Sequence, residues 1–111
     1  MWHSNDSSAS RFNVKTITID HLVSRGEIRE PKFVKIDVEG AEGLVLEGMR
    51  ETIASSKPII FLECSDIGRQ TSWNLLHEIG YRCLMATTLR PIESFDDYRH
   101  ADFLWLPTTH H

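Results

Sequence analysis

The sequence of 111 residues predicts an α/β domain with a mostly parallel sheet. Short β-branched and apolar runs alternate with amphipathic segments of helical period, an order that favours parallel strands joined by crossover helices. The last two predicted strands have no helix between them, so we expect them to pair antiparallel. The composition, 41% hydrophobic and 25% charged, is typical of one globular domain. We expect residues 12–107 to form this domain, between a flexible lead-in at 1–11 and a tail at 108–111.

The first two predicted strands flank a short helical turn. In NVKTITI, residues 13–19, five of seven positions are β-branched, and Asp20 follows as the expected cap of the turn HLVSRG. The second strand is KFVKIDV, residues 32–38, where alternate apolar residues point to one face and Asp37 points to the other. The sequence therefore predicts two strands before its first long helix.

A helix, a central strand and a second helix are predicted next. Residues 41–55 form an apolar stripe at 100° spacing, which predicts one amphipathic helix. The unbroken apolar run at 59–62 is typical of a parallel strand that is buried on both faces. The stretch SDIGRQTS, residues 65–72, is predicted as a loop, and WNLLHEIG as a helix that Gly80 ends.

The chain closes with two more predicted strands, YRCLMAT at 81–87 and DFLWLP at 102–107, separated by a polar stretch without a clear period. Ligands of such sheets bind beyond the carboxyl ends of the strands. We therefore expect the functional site at residues 37–40, at residues 63–66 and in the loop after Ala86.

Composition and charge narrow the class of protein. The net charge of -4 and the dispersed 12 Lys and Arg residues indicate no nucleic-acid partner, and no apolar segment reaches the length of a membrane span. Cys64 and Cys83 lie in apolar runs without a CxxC or Cys/His metal spacing, and the first residues lack the apolar core of a signal peptide. We expect a cytoplasmic protein with two reduced thiols and no dedicated metal site.

Three acids follow or end the two central predicted strands. Asp37 and Glu39 flank Val38 at the end of one strand, and Glu63 ends the strand expected beside it. Such a cluster suits a hard cation, acceptance of a substrate hydroxyl proton, or hydrogen bonds to a cofactor. Asp37 is the strongest candidate for chemistry, because an acid within an apolar strand must be paired, exposed at a cleft or protonated.

Structural explanations of the same acids stay open. Glu63 could pair with Lys35 or an arginine, and Lys35 could equally neutralise Asp37. Glu39 and Glu42 could instead cap the following helix, with Glu39 near the N-cap and Glu42 at the third helical position, where a carboxylate meets free backbone N–H groups.

The segments TITIDHLV, FVKIDVEGAEGLVLEGM and KPIIFLE resemble the C-terminal half of the FkbM family of S-adenosylmethionine-dependent methyltransferases, over residues 16–86. The resemblance implies the class I methyltransferase fold, a Rossmann-like sheet in the order 3-2-1-4-5-7-6, in which the strand at Asp37 is strand four and PIIFLE is strand five. It also implies O-methylation of a sugar or another small molecule, with Asp37 catalytic and with Glu39 and Glu63 binding the cofactor.

One part of the family pattern is missing from this chain. The first half of these methyltransferases carries a glycine-rich loop that approaches the cofactor, whereas the six glycines here include no G-x-G-x-G. The resemblance therefore implies half of the fold, inactive alone, with a bare strand edge through which we expect a homodimer. The alternative is a non-catalytic, homo-oligomeric binding or assembly module derived from a methyltransferase.

Overall fold

The structure, a computed structural model, describes residues 18–37, 40–63, 66–99 and 101–108. Helices and strands alternate through most of this part of the chain. In order they are α1 (Ile19–Ser24), β1 (Phe33–Ile36), α2 (Glu42–Glu47), α3 (Arg50–Ser56), β2 (Ile59–Glu63), α4 (Arg69–Ile79), β3 (Tyr81–Met85), β4 (Pro91–Ile92), a 3-10 helix (Phe95–Asp97) and β5 (Asp102–Pro107).

The strands form one sheet in the order β1-β2-β5-β3-β4. β1 and β2 are parallel, whereas β5 runs antiparallel to both of its neighbours and β4 is antiparallel to β3. The α/β class and the antiparallel pairing of the last two long strands are therefore confirmed. The expected mostly parallel sheet is wrong, because β5 inserts between β2 and β3 and separates two strands that point the same way.

The region predicted as the first strand ends in a helix instead. α1 begins at Ile19, and Thr18 is its N-cap, whose hydroxyl accepts the N–H of His21 at 3.1 Å. Asp20 is thus inside the helix and is not its cap, and Ile19 does not belong to a strand. The remainder of that predicted strand, residues 13–17, lies outside the described residues.

The single helix predicted over 41–55 is interrupted at Gly48, which separates α2 from α3. Asp20 forms hydrogen bonds with the backbone at this interruption. Its N–H donates to the Gly48 carbonyl at 2.9 Å, and its carboxylate accepts the N–H groups of Glu51 and Thr52 at 3.0 and 2.8 Å. The break leaves one carbonyl and two N–H groups available at this point, and the N–H group and carboxylate of Asp20 form hydrogen bonds with them.

The helices pack on one face of the sheet and form the core with it. β2 is consequently buried on that face only, with Ile60 and Leu62 inside, Ile59 39% exposed and Phe61 half-buried. The prediction of burial on both faces is wrong, because none of the described helices contributes to a core on the second face. The core side chains are Ile36, Leu46, Met49, Ile53, Ile60, Leu62, Leu75, Leu76, Tyr81, Cys83, Tyr98, Phe103 and Trp105.

The elements in the second half of the chain agree more closely with those predicted from the sequence. α4 begins at Arg69, inside the stretch expected to be a loop, and it ends at Gly80, whose positive φ of 99° confirms the predicted stop. The polar stretch after β3 contains the short strand β4, although the sequence of this stretch has no strand-like alternation. Tyr98, which lies after β4 in the same polar stretch, is fully buried and anchors this stretch to the core.

Candidate acidic site at the strand ends

Asp37 and Glu63 lie next to each other at one end of the sheet. The register pairs Ile36 with Leu62, so Asp37 and Glu63 occupy the following positions of two parallel neighbours. Both residues are exposed. The third predicted acid, Glu39, lies outside the described residues, so its predicted cofactor contact stays a prediction.

A third carboxylate joins this pair from β5. Glu63 pairs directly with Asp102 across the antiparallel β2-β5 ladder, and Asp102 is exposed as well. Side chains at paired positions point to the same face of a sheet, and neighbouring strands lie about 4.8 Å apart. Asp37, Glu63 and Asp102 therefore form a row of acids, called here the acidic row. Sequence reasoning missed Asp102, because its place depends on β5 lying beside β2.

Exposure gives Asp37 and Glu63 access to water. An acid at a solvated strand end needs no buried partner, so the desolvation argument that singled out these residues does not apply to them. Lys35 is also exposed, and its ammonium lies over the Phe61 ring, 5.7 Å from the centroid. Among the described residues, Lys35 forms no ion pair with Asp37.

Glu42 is the buried acid of this region. It is 1% exposed, and its Oε2 accepts the N–H of Gly40 at 3.4 Å, whereas its Oε1 has no hydrogen-bond partner among the described residues. Glu42 is the first residue of α2, after Ala41 as N-cap, and not the third helical position. The predicted cap is therefore wrong, because the carboxylate reaches back to the strand-to-helix corner rather than to the N–H groups of its own helix.

Two glycines allow α2 to approach the start of α4. A Cβ on Gly68 would lie 2.1 Å from Glu42 Oε1, and a Cβ on Gly43 would lie 2.7 Å from Thr71 Cγ2. Both helix starts follow strands whose ends carry the acidic row. Glu42 thus packs between the segments that follow β1 and β2, and it couples the positions of the two segments.

Three further observations bear on what the described residues can bind. In the described ranges, no three His, Cys, Asp or Glu side chains are grouped closely enough to hold a metal ion. None of the helices in those ranges is both long and apolar enough to cross a membrane. Cys83 is buried on the core side of β3, and Cys64 lies outside the described residues.

The geometry is that of an α/β domain with exposed acids at the carboxyl ends of two parallel strands, where sheets of this kind commonly bind ligands. Residues 2–105 match the methyltransferase FkbM domain, and the chain belongs to that family. Over 54 residues it is 43% identical to the hexuronic acid methyltransferase AglP of Haloferax volcanii. That segment covers 49% of this chain and 23% of the relative, so the match spans less than a quarter of the relative's length. No solved structure matches the chain.

Proposed function

We propose that the chain is the second half of a class I methyltransferase fold and takes part in O-methyl transfer from S-adenosylmethionine to a hydroxyl of a sugar or another small molecule. The observation that carries this proposal is the sheet order. β1-β2-β5-β3, with β5 antiparallel, has the neighbour pattern that strands 4-5-7-6 of such a fold would have. The family match and the 43% identity to a hexuronic acid methyltransferase support a sugar as the acceptor.

The acidic row fits the charge of the proposed cofactor. S-adenosylmethionine would supply the methyl group from a positively charged sulfonium, and three neighbouring carboxylates favour a cation because they repel one another. Glu63, together with Glu39, is assigned to cofactor binding. The exposed position of Glu63 at the end of β2 leaves its carboxylate reachable from solvent.

Asp37 is assigned to the acceptor. A carboxylate at hydrogen-bond distance from a hydroxyl orients the oxygen and takes its proton as the oxygen–methyl bond forms. Asp37 is exposed and follows β1 directly, so its position is fixed by the parallel pairing of β1 with β2. Glu42 is buried and is a positioning residue in this scheme.

Calorimetric titration of the chain with S-adenosylhomocysteine tests the proposal. We expect binding in the micromolar range, weakened at least about tenfold by Glu63→Gln, since a hydrogen bond to a charged group contributes about 1.5–3 kcal/mol. Glu93→Gln, which changes an exposed acid outside the row, is the matched control and should bind as the unmodified chain does. Absence of heat and of a thermal shift at millimolar ligand would refute cofactor binding by this chain.

A non-catalytic assembly module is the second candidate, and the edge of the sheet favours it. Among the described residues β1 pairs with β2 alone, and a strand edge without a neighbour can pair with another chain. Two copies joined through β1 would form one continuous sheet in which the two β1 strands run antiparallel. For such a homodimer we expect slow hydrogen exchange at the outer N–H groups of β1. Their protection should increase with protein concentration and should not change when cofactor is added.

A further inference from the structure

Arg69, the first residue of α4, is a half-buried arginine that two uncharged groups hold in place. Its Nη1 donates to the Tyr98 carbonyl at 2.7 Å, and its Cζ lies 4.4 Å from the centre of the Phe95 ring. Stacking on an aromatic ring covers one face of a guanidinium and leaves the N–H groups free in its plane. The side chain is therefore held in one orientation while it keeps donors for a ligand.

Among the described residues, no carboxylate forms an ion pair with this guanidinium. The ion pairs there join other side chains, although Asp66 precedes Arg69 by three residues and Asp96 follows Phe95 directly. A guanidinium binds a carboxylate through two parallel N–H···O hydrogen bonds, a match of shape as well as of charge. A carboxylate is therefore the ligand group that fits Arg69 best.

Arg69 and the acidic row lie at the same edge of the sheet. α4 begins shortly after β2, whose last residue is Glu63, and Tyr98 shortly precedes Asp102, the partner of Glu63. The strand residues next to the row belong to the core, so the row points away from the helix side, where Arg69 bonds to Tyr98. A ligand that lies across this edge meets carboxylates on one side of the sheet and a guanidinium on the other.

The backbone at the start of α4 is a poorer site for an anion than the Arg69 side chain. Gly68 is the N-cap of α4 and makes no side-chain hydrogen bond, and free N–H groups at such a helix start commonly attract anions. The buried carboxylate of Glu42 lies against Gly68, however, and it repels a second anion at that point. The guanidinium is thus the group that would bind a ligand carboxylate.

We propose that Arg69 binds a carboxylate of the acceptor, so that the acceptor is an acidic sugar of the uronic acid class. This inference rests on the proposed function and adds the residue that selects the acceptor. One hydroxyl of such a sugar contacts Asp37, and its carboxylate forms paired hydrogen bonds with Arg69. A neutral sugar makes the first contact without the second. The amino-acid carboxylate of the cofactor has the same chemistry, so the experiment separates the two sources.

NMR titration of the full chain with D-glucuronate and with D-glucose tests the inference, because the two sugars differ in one carboxylate. We expect glucuronate to bind at least about tenfold more tightly, since hydrogen bonds between charged groups are the strong ones. Arg69→Gln should remove this preference and leave the binding of glucose unchanged. Arg69→Lys should retain part of it, because lysine keeps the charge without the planar fork.

Arg82→Gln is the matched control, since Arg82 is an exposed arginine on β3 whose strand partner, Leu106, lies far along β5 from Asp102. It should keep the full preference for glucuronate. Circular dichroism checks the fold of each variant, and the comparison of the two sugars on the unmodified chain decides the question even if Arg69→Gln unfolds.

A separate titration with S-adenosylhomocysteine distinguishes the two carboxylates. Arg69→Gln should bind this ligand as the unmodified chain does. Equal binding of the two sugars, no binding of either, or a loss of S-adenosylhomocysteine affinity with glucuronate binding unchanged would overturn the inference. Failure of the unmodified chain to bind S-adenosylhomocysteine would instead count against the proposed cofactor, whatever the two sugars do.

Discussion

Replacing Gly68 by alanine tests the close contact between Glu42 and the start of α4. Gly68 has φ −91° and ψ 2°, which alanine adopts easily, so the backbone alone would favour alanine by about 0.4–1 kcal/mol. The contact opposes this, because the new Cβ would lie 2.1 Å from Glu42 Oε1 and 3.0 Å from its Cδ. Overpacking of this kind costs about 1–3 kcal/mol, and alanine is also a poorer N-cap than glycine.

We expect Gly68→Ala to lower the free energy of unfolding by about 2 kcal/mol, or to lower Tm by about 8 °C in a domain of this size. Denaturant unfolding followed by tryptophan fluorescence measures the change. In a Glu42→Ala background the two closest atoms are gone, and the next atom, Glu42 Cβ, lies at 3.2 Å. The same glycine-to-alanine change should then be close to neutral, which gives a coupling energy of about 1–3 kcal/mol.

Two results would refute this reasoning. An equal loss of stability in both backgrounds would show that Glu42 is not what opposes a side chain at Gly68. A stabilised Gly68→Ala variant would show that the segment after β2 moves freely away from α2. Either result would remove the argument that Glu42 couples the segments behind the acidic row.

Two further predictions concern single hydrogen-bonded side chains. Burial raises the pKa of the Tyr81 hydroxyl from 10.0 to about 12, and this hydroxyl donates to the Pro58 carbonyl at 2.6 Å. Its contribution to stability is complete below pH 10 and is lost as the pH rises to 12, so Tyr81→Phe should flatten that decline in urea titrations. Asp20→Ala removes the acceptor for the N–H groups of Glu51 and Thr52 and should lower the free energy of unfolding by about 0.5–2 kcal/mol, measured by thermal unfolding. Asp20→Asn should retain most of this capping interaction. An equal loss of stability in both variants would contradict the capping role.

The sequence predicted the local elements well and their arrangement only in part. Alternation located β1, and Gly80 ended a helix where expected, because both signals depend on residues close in the chain. The insertion of β5 between β2 and β3 was not predicted, since strand order depends on pairing between distant segments. The same insertion explains why a sheet expected to be mostly parallel is mostly antiparallel in this part of the chain.

The residues of the candidate site were likewise predicted only in part. Position at a strand end identified Asp37 and Glu63, which the register places side by side. Asp102 and Glu42 needed tertiary information. Asp102 joins the row only through β5, and Glu42 is buried because Gly68, in a different loop, leaves room for its carboxylate. The motif itself identified the family, which the match over residues 2–105 confirms.

Asp20 has a consequence for the order in which this chain assembles. Its three backbone partners lie between residues 48 and 52, at separations of 31 and 32 residues for the two contacts of its carboxylate. Closing loops of this length costs little more than closing shorter ones, since each doubling adds about 0.6 kcal/mol. The corner made by α1, α2 and α3 can thus form as soon as residue 56, the end of α3, has left the ribosome. The sheet, by contrast, has no centre until β5, which follows the other described strands in the sequence, joins β2 to β3.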